Sequence, residues 1–137
     1  MTYLTKLMLR APLAKTTKLG PEDRSAIDFA NRLRVWTLEG KLKAVWTHVP
    51  NEIAGGTPNA KIRYAVSKAL GQISGASDYV FMWATGGAAI EFKAGRNVQQ
   101  ENQLHFETWC KANGVPYFLV YSADEGEAKL RELGVLA

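Results

Sequence analysis

The sequence predicts a mixed α/β domain in which helices pack on a central sheet, and three observations carry that prediction. Apolar residues recur at helical spacing in several stretches, and short β-rich runs bounded by glycine or proline separate them. Two of those runs flank a tight glycine-containing turn, and a further helix and strand follow them. A hairpin that leads into a β-α-β crossover implies a mixed sheet, with the order α-β-α-β-β-α-β-α along the chain. With 137 residues, of which 47% are hydrophobic and 22% charged, one domain is expected. At this length roughly two-thirds of the unfolded chain's surface should be buried without help from a disulfide. The expected division is a basic segment over residues 1–20, forming an arm, and a single folded unit over residues 21–137.

The elements follow in order. Pro21 after Gly20 opens a helix at its first position, and Ala26, Phe29, Ala30, Leu33 and Trp36 form one apolar stripe that Gly40 ends. Residues 44–49 read as a strand, and a loop from His48 to Gly56 follows. Thr57 caps and Pro58 opens a second helix, with Ile62, Ala65, Val66 and Ala69 expected inside and Lys61, Tyr64 and Lys68 outside. Residues 78–83 and 88–93 are strands around Thr85-Gly86-Gly87. Asn97, with Gln100 three residues on, reads as the cap of a third helix whose inner face is Gln99, Gln103, Phe106, Trp109 and Cys110. Residues 115–121 form an apolar strand and residues 124–133 a final helix.

Charge and composition narrow the function. Lys and Arg number 17 against 13 Asp and Glu, a net +4, and the first twenty residues contain Lys6, Arg10, Lys15 and Lys18 with no acid. Such a stretch suits a polyanion such as nucleic acid, or is simply a solvated arm. The lone Cys110 excludes an internal disulfide and a multi-cysteine metal site, fits a reducing compartment and reads as a core residue. The longest charge-free stretches have twelve residues, short of the roughly 18 that a membrane span needs. A soluble, cytoplasmic protein without a membrane partner is expected.

Glu91-Phe92-Lys93 carries the chemistry. Side chains alternate along a strand, so Glu91 and Lys93 share a face about 7 Å apart while Phe92 points to the other. A two-residue hairpin loop, Thr85-Gly86 or Gly86-Gly87, brings Asp78 to that same face, whereas a three-residue loop turns it away. Two carboxylates on adjacent strands, with one more acid nearby, form a hard oxygen site suited to Mg²⁺ or Mn²⁺. A lysine beside them can offset charge on a transferring phosphoryl group.

The array His48-x-Pro50-Asn51-Glu52, Gly71-x-x-x-Gly75-x-x-Asp78, Ile90-Glu91-Phe92-Lys93 and Gln103 resembles the VRR-NUC family of the PD-(D/E)xK nuclease superfamily, over about residues 48–133. It is most similar to the compact standalone members of phages and bacteria. The resemblance implies a restriction-endonuclease-like fold and metal-dependent hydrolysis of DNA phosphodiesters. It implies that Asp78, Glu91 and the backbone carbonyl of Phe92 bind the metal, with Glu52 completing the site directly or through water. Lys93 would position or polarise the attacking water, and Gln103 would orient Lys93 or a phosphate. Ser77 stands where the family usually has proline, and the Val-Arg-Arg signature is absent. The likeness to Holliday-junction resolvases makes branched DNA and a two-fold homodimer the leading expectations. Lys61, Tyr64, Lys68 and Arg96 would hold DNA, joined by Arg10, Lys15, Lys18, Lys41 and Lys43 if the N-terminal segment folds back. The competing expectation is a basic nucleic-acid-binding module without catalysis. His48 and His105 are read as structural and solvated, and the four tryptophans as core.

Overall fold

The structure is a computed structural model, and it describes residues 3–8, 18–50 and 58–137. Glu52, Arg10, Lys15 and the Thr57 cap therefore lie outside the described residues. A short helix α1 (Tyr3–Met8) precedes α2 (Pro21–Leu38), strand β1 (Val45–His48), α3 (Pro58–Leu70), β2 (Tyr79–Trp83) and β3 (Gly86–Phe92). Helix α4 (Glu101–Ala112), β4 (Tyr117–Val120) and α5 (Ala123–Glu132) complete the order. The sheet runs β1-β2-β3-β4, antiparallel twice and then parallel, which is the mixed α/β architecture the sequence predicted. Helix α1 was not anticipated, because residues 1–20 carry too short an apolar pattern to declare it.

Each long element has a local cause. Gly20 is extended before Pro21, whose fixed φ suits a first helical position, and Glu22 and Asp23 sit at the positive end of the α2 dipole. Its stripe of Phe29, Ala30, Leu33 and Trp36 is buried against one face of the sheet. There Phe29 meets Tyr79 at 5.5 Å, Phe81 at 6.3 Å and Phe92 at 5.2 Å between ring centroids. Ile90, Val120 and Leu130 close this core, and α5 packs along α2. Arg32 of α2 reaches Asp124 at 2.7 Å and Glu127 at 3.2 Å, pinning the two helices at the rim. Gly126 is required at this crossing, since a Cβ there would stand 2.7 Å from the Phe29 ring.

The opposite face carries the site. Helix α4 covers Ala89 and Tyr117 with Cys110 and the half-buried Phe106. The hairpin turns through two residues, as one of the expected loop lengths required, but they are Ala84-Thr85, because Trp83 pairs with Gly86. Tyr79 pairs with Ile90, so one residue further out Asp78 stands opposite Glu91, on the shared face. Strand β2 begins one residue later than read from the sequence, and β3 begins two earlier and ends one earlier, which leaves Asp78 and Lys93 just beyond their ends.

Three expectations are corrected. The N-cap of α4 is Gln100, not Asn97, whose N–H instead closes a turn onto the Ala94 carbonyl at 3.0 Å. Trp109, expected inside, is 60% exposed, because α4 rolls Cys110 and Phe106 onto the sheet. Helix α3 buries only Ala60, and Ile62, Val66 and Leu70 face out at 61%, 52% and 84% exposure. An amphipathic pattern states that a stripe seeks a partner, and no other described element packs extensively along α3.

Candidate metal centre and catalytic cleft

Asp78 and Glu91 are cross-connected through the backbone. The Asp78 N–H donates to Glu91 Oε2 at 3.0 Å, and the Phe92 N–H donates to Asp78 Oδ2 at 2.7 Å. Each carboxylate is thus held by the strand opposite its own. Gln103 donates from Nε2 to Glu91 Oε1 at 2.8 Å, while its Oε1 accepts the Gln100 N–H at 2.9 Å. One side chain therefore closes the first turn of α4 and fixes Glu91. Gln103 points into the site as expected but bonds Glu91, where the sequence suggested Lys93 or a phosphate as its partner. Lys93 Nζ lies 3.9 Å from Glu91 Oε1, and both residues are buried.

The electrostatics follow from that burial. Loss of solvent, then repulsion from Asp78, push the Glu91 carboxyl up to about 8, with Lys93 opposing. Burial likewise raises Asp78, against the Phe92 N–H and the charges of His48 and Lys93. Two desolvated carboxylates with one nearby ammonium leave negative charge that a cation would relieve. Oδ1 of Asp78 accepts from no donor among the described residues. Among those residues no group of three or more His, Cys, Asp and Glu converges on one point. A pair of carboxylates fits Mg²⁺, which keeps several waters and commonly takes one or two protein carboxylates.

A cleft of about 430 Å³ surrounds the pair. Its walls bring together Asp78, Glu91, Lys93 and Gln103 from the sequence reading. They add Glu22, Asp23, His48 and Asn102, which that reading did not place there. Glu22 and Asp23 were legible only as dipole-satisfying acids on the first turn of α2; their adjacency to β3 is a tertiary fact. His48, read as structural, does rest edge-on against Tyr79 at 5.2 Å, yet it also lines the cleft. His105 and Cys110 stand as expected, solvated and buried respectively.

Loop geometry keeps the walls in place. Gly75 adopts φ +90 and passes so close to α4 that a Cβ would lie 2.4 Å from the Asn102 carbonyl carbon. Ser77 is fully buried, with its hydroxyl donating to the Tyr79 carbonyl at 3.2 Å, so it steadies the approach to β2 where a proline was absent. Of the expected DNA-holding residues, Lys68 donates to Ser74 on the cleft rim at 2.6 Å and lies over the Tyr64 ring at 5.1 Å. Lys61 is exposed on the same helix. Arg96 lines a neighbouring hollow of about 510 Å³ that shares Glu22, Lys93 and Gln100 with the cleft.

No family model, no curated protein and no solved structure matches the chain significantly.

Proposed function

We propose that the protein is a metal-dependent DNA endonuclease of the PD-(D/E)xK type, similar to the VRR-NUC family. The observation that carries the reading is the buried Asp78–Glu91 pair with Lys93 at its side, in one cleft at the end of an antiparallel β2–β3 pair. A module that only binds nucleic acid has no use for buried carboxylates facing a phosphate backbone, so the non-catalytic alternative is disfavoured. Asp78 and Glu91 would hold Mg²⁺ or Mn²⁺, with the Phe92 carbonyl beside them and Glu22 across the cleft. The ion would supply a Lewis acid and lower the pKa of water.

The protein's own groups then divide the work. Gln103 and the Asp78 N–H hold both oxygens of Glu91, so the carboxylate is oriented before substrate arrives. Lys93, stripped of solvent, offers an ammonium to orient the attacking water and offset charge on the phosphorane-like transition state. Lys68, bonded to Ser74 of the cleft, and Arg96, in the adjoining hollow, would take phosphates on either side, with Lys61 and Tyr64 of α3 extending the track. Branched DNA and a homodimer belong to this proposal, since a two-fold enzyme cuts two strands symmetrically.

The test is direct: incubate the purified full chain with Mg²⁺ or Mn²⁺ and linear, flap, splayed or four-way-junction DNA. Metal-dependent cutting that Asp78→Asn abolishes is expected. Absence of cutting on every substrate with either metal would overturn the reading.

A further inference from the structure

Helix α3 carries an apolar stripe that the other described elements leave open. Ile62, Val66 and Leu70 recur every four residues and are 61%, 52% and 84% exposed. With Val49 and Pro50 they line a groove of about 600 Å³, edged by Arg63, Ser67 and Gln72. Scattered apolar residues on a surface are ordinary, whereas a contiguous stripe with a groove beside it marks an interaction site.

Charge selects the partner. Residues 53–77 contain no acid, and the cations of α3 are Lys61, Arg63 and Lys68. At 3.6 residues per turn, Lys61 and Lys68 stand about 150° around the helix from the stripe. Lys68 is moreover engaged with Ser74. The stripe face is therefore uncharged, with Arg63 alone at its edge. An acidic helix or an anionic surface would gain from cations on both sides of the stripe, whereas an equally uncharged apolar face needs none. Size sets the strength. At roughly 100 Å² for a fully exposed aliphatic side chain, the three supply about 200 Å² of apolar surface per copy. A specific interface takes about 800 Å² from each partner, so the stripe is the centre of a small interface and the association is weak.

We propose that α3 is where two copies of this chain meet, packed antiparallel about a two-fold axis at Val66. The four-residue spacing makes the stripe self-complementary: Ile62 lies against the partner's Leu70, and Val66 against its own counterpart. Lys61 and Lys68 face away from the axis, so each copy keeps its basic side free for phosphates. The inference gives the homodimer of the nuclease reading a surface, and it rests on that reading only for the use of a second cleft.

Sedimentation velocity of the full chain between 2 and 500 µM tests it. A monomer–dimer equilibrium with Kd of about 10–100 µM is expected for so small an interface. Val66→Lys or Leu70→Lys should raise Kd at least tenfold. Neither should move the melting temperature of dilute protein, since both sites are open and lysine suits a helix. Helices in contact bring facing Cα atoms within disulfide reach. The lone native cysteine, Cys110, is buried, so Val66→Cys should oxidise to a linked dimer and Lys61→Cys should not. A monomer at every concentration overturns the proposal, as does a dimer indifferent to both lysine variants or linked equally through Lys61→Cys. A monomer that binds anionic vesicles through the stripe also overturns it, giving the stripe to lipid. DNA cutting in any of these cases leaves the nuclease standing. A dimer that Val66→Lys dissociates in a protein that cuts no DNA keeps the interface and removes the nuclease.

Discussion

Glu91 concentrates the electrostatic tension of the molecule. Its carboxyl, pushed up to about 8 by burial and by Asp78, takes up a proton in the folded state that the unfolded chain, near 4.5, would release. The folded state therefore gains from protonation below the unfolded value, and that gain is lost as pH rises through 4.5 towards 8. The melting temperature of metal-free protein should fall across this window, and Glu91→Gln should flatten the fall. A wild-type profile flat from pH 5 to 8 would contradict the assignment. Mg²⁺ or Mn²⁺ should stabilise the protein more at the upper end of the window, because the ion needs ionised carboxylates. Lys93→Ala should fold and still respond to metal, yet cut DNA about 10²–10³-fold more slowly, the usual loss of one group preorganised at developing charge. Lys93→Arg should restore little, since guanidinium is wider and holds its protons. Steady-state cleavage rates decide it, and a near wild-type rate for Lys93→Ala removes the mechanism. These residues were legible in the sequence because alternation along a strand is a local rule: Glu91 and Lys93 had to share a face. Glu22 was not, because nothing local says that the first turn of α2 ends beside β3.

Helix α4 shows how one element serves two ends. Gln103 satisfies the Gln100 N–H and also holds Glu91, so Gln103→Ala should cost about 1–2 kcal/mol from the helix end and the buried hydrogen bond to Glu91 together. It should also lower cutting without abolishing it, and denaturant melts alongside single-turnover rates separate the two effects. Gly75→Ala meets a harder constraint, since φ +90 disfavours any side chain and the Asn102 backbone leaves no room. It should destabilise by about 2–4 kcal/mol, combining backbone strain with a contact that cannot relax. Gly126→Ala, whose obstacle is the Phe29 ring, should cost about 1–3 kcal/mol, as overpacking usually does. The sequence announced α4 but placed its start three residues early, because the Asn97–Gln100 pair has the spacing of a capping box. In the structure Gln100 is itself the cap, and Gln103 three residues on closes the box that the sequence suggests for Asn97 with Gln100. The α3 stripe was misjudged for a different reason. Periodicity reveals that a face is apolar, but whether anything lies against it depends on the rest of the fold.

At the scale of the whole molecule, Lys68 and Arg96 stand at the edge of an acidic cleft, and under the proposed function affinity for DNA should come from such cations and not from the cleft itself. Replacing Lys61 and Lys68 together by alanine should reduce the slope of log affinity against log salt by about two, at roughly 0.9 per phosphate contact, and weaken all DNAs alike. Binding measured across a salt series with Ca²⁺ in place of the catalytic metal checks this, and an unchanged slope removes α3 from the interface. The mixed sheet was readable from the chain as a whole, since a hairpin followed by a crossover leaves few topologies. The outward turn of α3 has a further consequence, which concerns how the molecule comes apart. Regions with little buried apolar surface open at a free energy well below that of global unfolding. The backbone amides of α3 should therefore exchange with deuterium at least a hundredfold faster than those of Phe81, Ile90 and Val120, whose side chains are buried in the main core. The helix would then be a separate cooperative unit, able to unfold and reform while the strands bearing Asp78 and Glu91 stay closed.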